Sequence, residues 1–285
     1  AKDDGFVEYA MRDAQIAYFA GKAIERMHQE LEIPPQISLA SMAQAVFKRH
    51  YMKSDIYQPP TTEWMFGAAA SYHGGVNRVR PGAAPVFHEG VTALDFSSAY
   101  PKALTELPDF QTPNGYRRYK WNRKRALKSV PAIGVYQCSG RAAPCDWPVL
   151  FNHDFEPIEG RFNNIWICGH EVNEALRSGE VAFTKLSGCH YDRDSGYSPF
   201  KQYIDTFYDR RKTEKDEVLN YMFKILMNAL TGKLIQSHED YTIVDGQLVK
   251  IRRAGGLYFP FGASLTTGHT RAHVHAAEHK YQALH

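Results

Sequence analysis

The ten residues Thr92-Ala93-Leu94-Asp95-Phe96-Ser97-Ser98-Ala99-Tyr100-Pro101 constrain the fold more than any other stretch. A β-prone apolar run, Val91 to Leu94, stops on a carboxylate; two hydroxyls follow, then Tyr-Pro. The chain has to leave an extended conformation within a few residues and present Asp95 where it does so. Two readings are open. A strand that carries Asp95 at its tip and then turns tightly fixes a ligand for Mg²⁺, which takes one or two carboxylates together with substrate phosphates. Backbone amides of such a turn can meet those phosphates. An ordinary strand-to-helix junction explains the same residues, with Asp95 or Ser98 as the N-cap and Pro101 near the first helical turn.

A chain of 285 residues holds two modest domains or one elaborated one. Its net charge of +3 gives no global basic field, so a nucleic-acid partner has to be met by local patches. Cys138, Cys145, Cys168 and Cys189 lie far apart and form no CxxC pair. That spacing argues against a disulfide framework and gives little support to a zinc site. The sequence reads as a reduced, intracellular protein with no signal peptide, no apolar run long enough to span a bilayer, and no membrane partner.

Helical periodicity covers residues 5–31, with Tyr9 and Asp13 four apart and therefore on one face. Such a pair can hold a water and a metal, or be a plain hydrogen bond on a solvated face. Pro34-Pro35 ends this helix, and a second is predicted from Ser41 to Tyr51. Ser71-Tyr72-His73-Gly74-Gly75-Val76-Asn77-Arg78 reads as a turn. Its glycines permit close approach of another chain or a ligand, with Tyr72 as a stacking face and Arg78 and Arg80 as charge. Residues 117–128, RRYKWNRKRALK, interleave cations with Tyr119 and Trp121, which suits a phosphate backbone and stacked bases or a solvated basic loop. Short strands follow at Ile133–Gly140 and Asn163–His170, then a helix from Glu171 to Arg177 that closes at Ser178-Gly179.

Two helices are predicted at Phe200–Arg211 and Glu217–Leu230, the second with the apolar stripe Val218, Tyr221, Met222, Ile225, Leu226 and Ala229. Lys224 and Asn228 share another of its faces, and Lys212 falls near the connecting turn. Cations gathered on a helical hairpin can hold a triphosphate, although a solvated face has the same pattern. Asp245-Gly246 marks a hairpin within Asp240–Phe261. A last helix, from Gly262 to His285, carries the i, i+4 pairs His269–His273 and His275–His279. The spacing tempts a zinc reading, but with no HExxH and no third ligand nearby in sequence these histidines are not assigned as a metal site.

The order of these stretches resembles family B DNA polymerases, specifically the protein-primed branch of phages and linear plasmids. Asp95-Phe96-Ser97-Ser98-Ala99-Tyr100-Pro101 is similar to motif A, and Lys224-Ile225-Leu226-Met227-Asn228-Ala229-Leu230-Thr231-Gly232-Lys233 to motif B. Tyr72-His73-Gly74-Gly75 looks like the YxGG motif, Tyr9-x-x-x-Asp13 like the third exonuclease motif, and Thr267 to Arg271 like the T-x-x-A/G-R DNA-binding motif.

The resemblance implies an α+β fold. It would comprise an exonuclease remnant (1–60), a first palm part (61–106) whose sheet carries Asp95 at a strand end, and a TPR1-like insertion (107–198). A two-helix fingers module (199–236), a shortened TPR2-like hairpin (237–259) and a second palm part (260–285) would follow. It further implies Mg²⁺ or Mn²⁺ on Asp95, backbone contacts to the triphosphate from Phe96, Ser97, Ser98 and Ala99, and a sugar gate at Tyr100. Lys212 and Lys224 would neutralise the triphosphate and Asn228 would shape the nucleotide pocket. DNA would be met by Tyr72, Gly74, Gly75, Arg78, Gly232, Lys233, Thr267 and Arg271. Tyr9 and Asp13 would belong to a 3′–5′ exonuclease, with Asp13 a metal ligand. The implied partners are primer-template DNA, dNTPs and a terminal protein, and the implied setting is the cytoplasm of a bacterial host.

The sequence departs from the family pattern in places. Thr231 replaces the tyrosine usual in motif B, and Thr270 stands where a small residue is usual. No Asp-Thr-Asp of motif C is present, and the first two exonuclease motifs are not found ahead of Tyr9. The expectation is a central polymerase segment that does not extend a primer alone, with motif C supplied by another segment or chain. The alternative is a catalytically inactive, polymerase-like DNA-binding or scaffolding module.

Overall fold

A computed structural model describes residues 4–75, 95–145, 147–193, 195–244 and 247–282. The fold is α+β, as expected. Helix α1 (Asp4–Glu30) leads to α2 (Leu39–Val46), which runs into a π-helical turn (Phe47–Tyr51), and then to α3 (Thr62–Ala70) and the short α4 (Ala99–Thr105). Strands β1 (Tyr116–Lys120), β2 (Gly134–Ala142) and β3 (Gly160–Cys168) precede α5 (Gly169–Ser178) and β4 (Val181–Tyr191). The helical pair α6 (Pro199–Thr213) and α7 (Glu217–Lys233), the hairpin β5 (Ser237–Val244) and β6 (Gln247–Ala254), and α8 (Pro260–Gln282) complete it. No described helix is long and apolar enough to cross a membrane.

Strands β1 to β4 form one antiparallel sheet in the order β1-β4-β2-β3. Because successive strand residues point to opposite faces, the sheet divides two cores. Val135, Trp166, Cys168, Cys189 and Tyr191 face the larger one, with α2, α3, α6, α7 and α8. Tyr136, Cys138, Ile167, Phe183 and Leu186 face the smaller one, which Val172 and Ala175 of α5 cover. Gly179 closes α5 in the left-handed conformation (φ 77°), as its position after Ser178 predicts.

Strand β4 is not anticipated by the sequence pattern. Val181, Phe183 and Leu186 all face the smaller core, so the alternation slips after Phe183. The slip matches a register shift at Ser139/Gly140 of β2, where the pairing jumps from Lys185 to Phe183. The sheet also lies wholly within residues 116–191, inside the segment assigned to the insertion. The strand expected over Val91–Leu94, and with it the strand-end placement of Asp95, falls outside the described residues, as do Arg78 and the Asp245-Gly246 turn.

Helices α6 and α7 form the expected pair. Asp216 caps α7 through the amides of Val218 and Leu219. Tyr203 of α6 donates its buried hydroxyl to the Leu226 carbonyl of α7 at 3.0 Å. At the connection Arg211 and Asn220 exchange two hydrogen bonds, Nε to Oδ1 at 3.1 Å and Nδ2 to the Arg211 carbonyl at 2.7 Å.

Candidate functional site

Asp95, Phe96 and Ser97 are exposed on the turn that enters α4. Ser98 occupies the N-cap position, as one of the two sequence readings has it, but in the left-handed conformation (φ 56°, ψ 42°) and without a side-chain cap. Its carbonyl accepts from Lys102 N at 2.9 Å, so the helix starts here all the same. That conformation costs a non-glycine residue on the order of 1 kcal/mol. It is the sharp bend that turns the chain from the exposed carboxylate into the helix. Pro101, Ala103 and Leu104 are buried beneath it, and α4 packs against α6, α7 and α8.

The Tyr72–Gly75 turn stands against the ring of Tyr100. A Cβ on Gly75 would lie 2.9 Å from the Tyr100 hydroxyl, so only glycine leaves that ring its place without a shift. Burial, and then the nearby Tyr100 hydroxyl, raise the pKa of Tyr72 and keep it a neutral donor. The turn is tied down from two sides. Ser71 shares a buried 2.7 Å hydrogen bond with Ser264 of α8, and His73 stacks on Phe155 (5.2 Å, 13°).

Arg271 fastens the same turn. Its guanidinium makes a bidentate pair with Glu171 of α5 (2.8 and 3.0 Å). It also donates to the carbonyls of His73 and, at 3.0 Å, Gly74. Arginine and carboxylate are each only 4% exposed. Arg271, expected to meet DNA, is here engaged in a buried tie to Glu171 and to the turn. Thr267 is likewise buried, and its hydroxyl donates to the Ala263 carbonyl of its own helix at 3.2 Å.

Lys212 and Lys224 are exposed on the α6–α7 pair. Lys212 reaches Asp209 at 3.3 Å and lies 4.4 Å from the ring centre of Tyr208. Asn228 is exposed one turn beyond Lys224 and donates to the Lys224 carbonyl at 2.8 Å. Gly232 is exposed, and Lys233 donates to Gln236 at 2.6 Å. Thr231 is buried, and its hydroxyl has no partner among the described residues. Packing of α4 onto both helices of the pair puts the Tyr100 and Lys224 helices side by side.

Tyr9 and Asp13 are not part of this gathering. They lie on the stretch of α1 from residue 5 to 19 that is exposed on every side. Among the described residues, neither Asp13 nor Asp95 belongs to a group of three or more carboxylate, histidine or cysteine donors, so each offers a metal one ligand. Of the basic segment, Arg117 and Arg118 are exposed on the edge strand β1, while Tyr119 packs edge-on against Tyr136 at 5.3 Å. A cavity of about 470 Å³ between Lys48, Met65, Gly256 and Tyr258 contains none of the sequence-predicted site residues.

Residues 6–247 match the family model of DNA polymerase type B, organellar and viral. The chain belongs to this family. Its fold is similar to Phi29 DNA polymerase in a post-translocation binary complex with primer-template DNA (TM-score 0.60, 13% identity, 91% of this chain and 47% of that one). The ternary complex with primer-template DNA and incoming nucleotide substrates gives 0.58 and 14%, over 90% and 47%. The complex with single-stranded DNA gives 0.59 and 14%, over 90% and 47%. The chain thus spans about half the length of the Phi29 chains it matches. A comparison with curated protein sequences found no match. The family read from the ordered motifs is borne out.

Glu171 is the functional neighbour that sequence reasoning missed. In the sequence it is only the first residue of a predicted helix, and nothing local marks it as the partner of an arginine 100 residues away.

Proposed function

We propose that this chain is the nucleotide-selecting part of a template-directed DNA polymerase of the protein-primed kind, carrying one half of its metal site. The observation that supports this most is the contact between Gly75 and Tyr100, which joins two of the recognised motifs beside the α6–α7 pair.

In this reading a primer 3′-hydroxyl, or the hydroxyl of a terminal protein, attacks the α-phosphate of a dNTP in line and pyrophosphate leaves. Divalent ions, Mg²⁺ or Mn²⁺, stabilise the attacking and leaving oxygens when bound. Asp95, exposed at the turn, supplies one carboxylate ligand. Amides of Phe96 to Ala99 orient the triphosphate, and Lys212 and Lys224 offset the charge that builds on the departing pyrophosphate. The Tyr100 ring, held in place by Gly75, lies under the sugar and excludes a 2′-hydroxyl. Asn228 borders the base. Tyr72, Gly74 and Gly75, with Gly232 and Lys233, guide template DNA, while Arg271 and Glu171 act as positioning residues for that turn. Tyr9 and Asp13 serve an associated 3′–5′ exonuclease.

These residues contain no Asp-Thr-Asp, so in this reading Asp95 needs a second carboxylate supplied separately. Primer extension tests this. The purified chain should not incorporate nucleotides, and addition of the segment bearing Asp-Thr-Asp should confer incorporation that Asp95→Ala abolishes. Metal-dependent incorporation by the 285-residue chain alone, lost in Asp95→Ala, would overturn the half-site reading. One observation favours a second reading, a binding module without catalysis. Neither Asp95 nor Asp13 gathers a described set of metal donors. Such a module would bind DNA with a salt dependence that Arg117, Arg118, Arg123 and Lys124 set, and would show no metal-dependent affinity for dNTPs.

A further inference from the structure

We infer that Cys145, Glu180 and His279, with His275 beside them, form a binding site for a zinc-class divalent cation, separate from the Asp95 turn. Three parts of the fold converge there. Cys145 lies in the loop after β2, Glu180 sits between α5 and β4, and the two histidines are one turn apart on α8.

One donor atom each from Cys145, Glu180 and His279 lie within 4.8 Å of one another. His279 Nε2 is 2.7 Å from Glu180 Oε1, and His275 Nε2 is 2.8 Å from the same oxygen. The two Nε2 atoms are 3.0 Å apart. Without a metal the Glu180 oxygen accepts from both rings; a cation among the three atoms would take the oxygen and both nitrogens as ligands instead. Zinc bonds of about 2.0–2.3 Å in a tetrahedron put donors roughly 3.3–3.8 Å apart, so the nitrogen and oxygen donors have to spread by about half an ångström and the thiol has to draw in from within 4.8 Å. Thiolate, imidazole and one carboxylate make a donor set that suits zinc and not magnesium.

The surroundings fit the same purpose. His275 Nδ1 lies 2.6 Å from Glu174 Oε1, and Arg177 holds that carboxylate with two bonds of 2.7 and 2.6 Å. A carboxylate on Nδ1 fixes the tautomer that leaves Nε2 for a metal. The backbone amide of Trp147 donates to Cys145 Sγ at 3.4 Å and so fixes the position of the sulfur. The His279 side chain is 35% exposed and leaves a way in, while that of His275 is 3% exposed. Binding expels the thiol proton and displaces the ring protons that face Glu180. The bound ion would staple the last turns of α8 to the end of the sheet.

Titration of the metal-free 285-residue chain with Co²⁺ tests the site. The expected result is one equivalent bound, with tetrahedral visible bands and a thiolate-to-cobalt charge-transfer band, both displaced by Zn²⁺. Cys145→Ser should remove the charge-transfer band, and His279→Gln should weaken binding at least about 10-fold. The wild-type titration needs no variant to fold. Saturating Co²⁺ without a charge-transfer band would overturn the inference, and so would a band that survives in Cys145→Ser.

Discussion

The hydroxyl of Tyr100 stands 2.9 Å from the point a Cβ on Gly75 would occupy, and this close approach couples the turn after α3 to the first turn of α4. Gly75→Ala should displace the Tyr100 ring and not the backbone, because the obstructing atom is the end of a side chain. The expected outcome is a several-fold loss of discrimination between dNTP and rNTP binding, with little change in stability. Tyr100→Phe in the Gly75→Ala background should restore room for the ring and make the two changes non-additive. Strict additivity in competition binding would separate the two residues.

Glu171 and Arg271 form a buried pair whose loss should be felt in stability. Glu171→Ala leaves a buried guanidinium with only carbonyl partners, and should cost about 3–5 kcal/mol in denaturant unfolding. Glu171→Gln should retain part of this. A cost under about 1 kcal/mol for Glu171→Ala would show that water replaces the carboxylate.

Thr231 carries a buried hydroxyl with no partner among the described residues, at the position where the family pattern has tyrosine. Thr231→Val keeps the shape and removes the unpaired group. It should leave stability unchanged or raise it by about 1 kcal/mol, read as the denaturant midpoint. Destabilisation would reveal that the hydroxyl is bonded in solution.

Acid should destabilise the α5–α8 contact. His170 and His269 meet at 4.7 Å, with the His273 ring tilted 4.2 Å from His269 and with Lys102 of α4 and its C-cap Glu106 nearby. Burial, then His269 and His273, push His170 down to about 3. Burial, then His273, push His269 down to about 4. The unfolded chain takes up protons on both near pH 6.5 while the folded one does not. Stability is therefore fully present above pH 6.5 and lost as the pH falls towards 4, on the order of 1 kcal/mol per pH unit per histidine. His275, raised by Glu180 and Glu174 against the effect of burial, works in the opposite sense, and its share is lost as the pH rises through its folded value. Unfolding midpoints at pH 7 and pH 5 read the balance. Equal midpoints would contradict it.

Much of this was legible because local signals agreed with the fold. The α6–α7 pair, the Gly179 stop and the β5–β6 hairpin follow from periodicity and turn residues that tertiary packing did not override. Strand β4 was hidden by the register shift at Ser139/Gly140, which breaks the alternation a sequence displays. The expectation of a DNA contact at Arg271 came from the motif resemblance of Thr267 to Arg271, and nothing local in the sequence shows that the guanidinium meets Glu171. The Cys145–Glu180–His279 cluster was invisible for the same reason, since its donors come from three distant segments.

The claim that Asp95 and Lys224 belong to one nucleotide site is tested most directly by equilibrium dNTP binding to the 285-residue chain with and without Mg²⁺. The account predicts Mg²⁺-dependent affinity that falls about 10-fold or more in Lys224→Ala and loses its metal dependence in Asp95→Asn. Affinity for dNTPs that is absent, or that neither substitution alters, would contradict it.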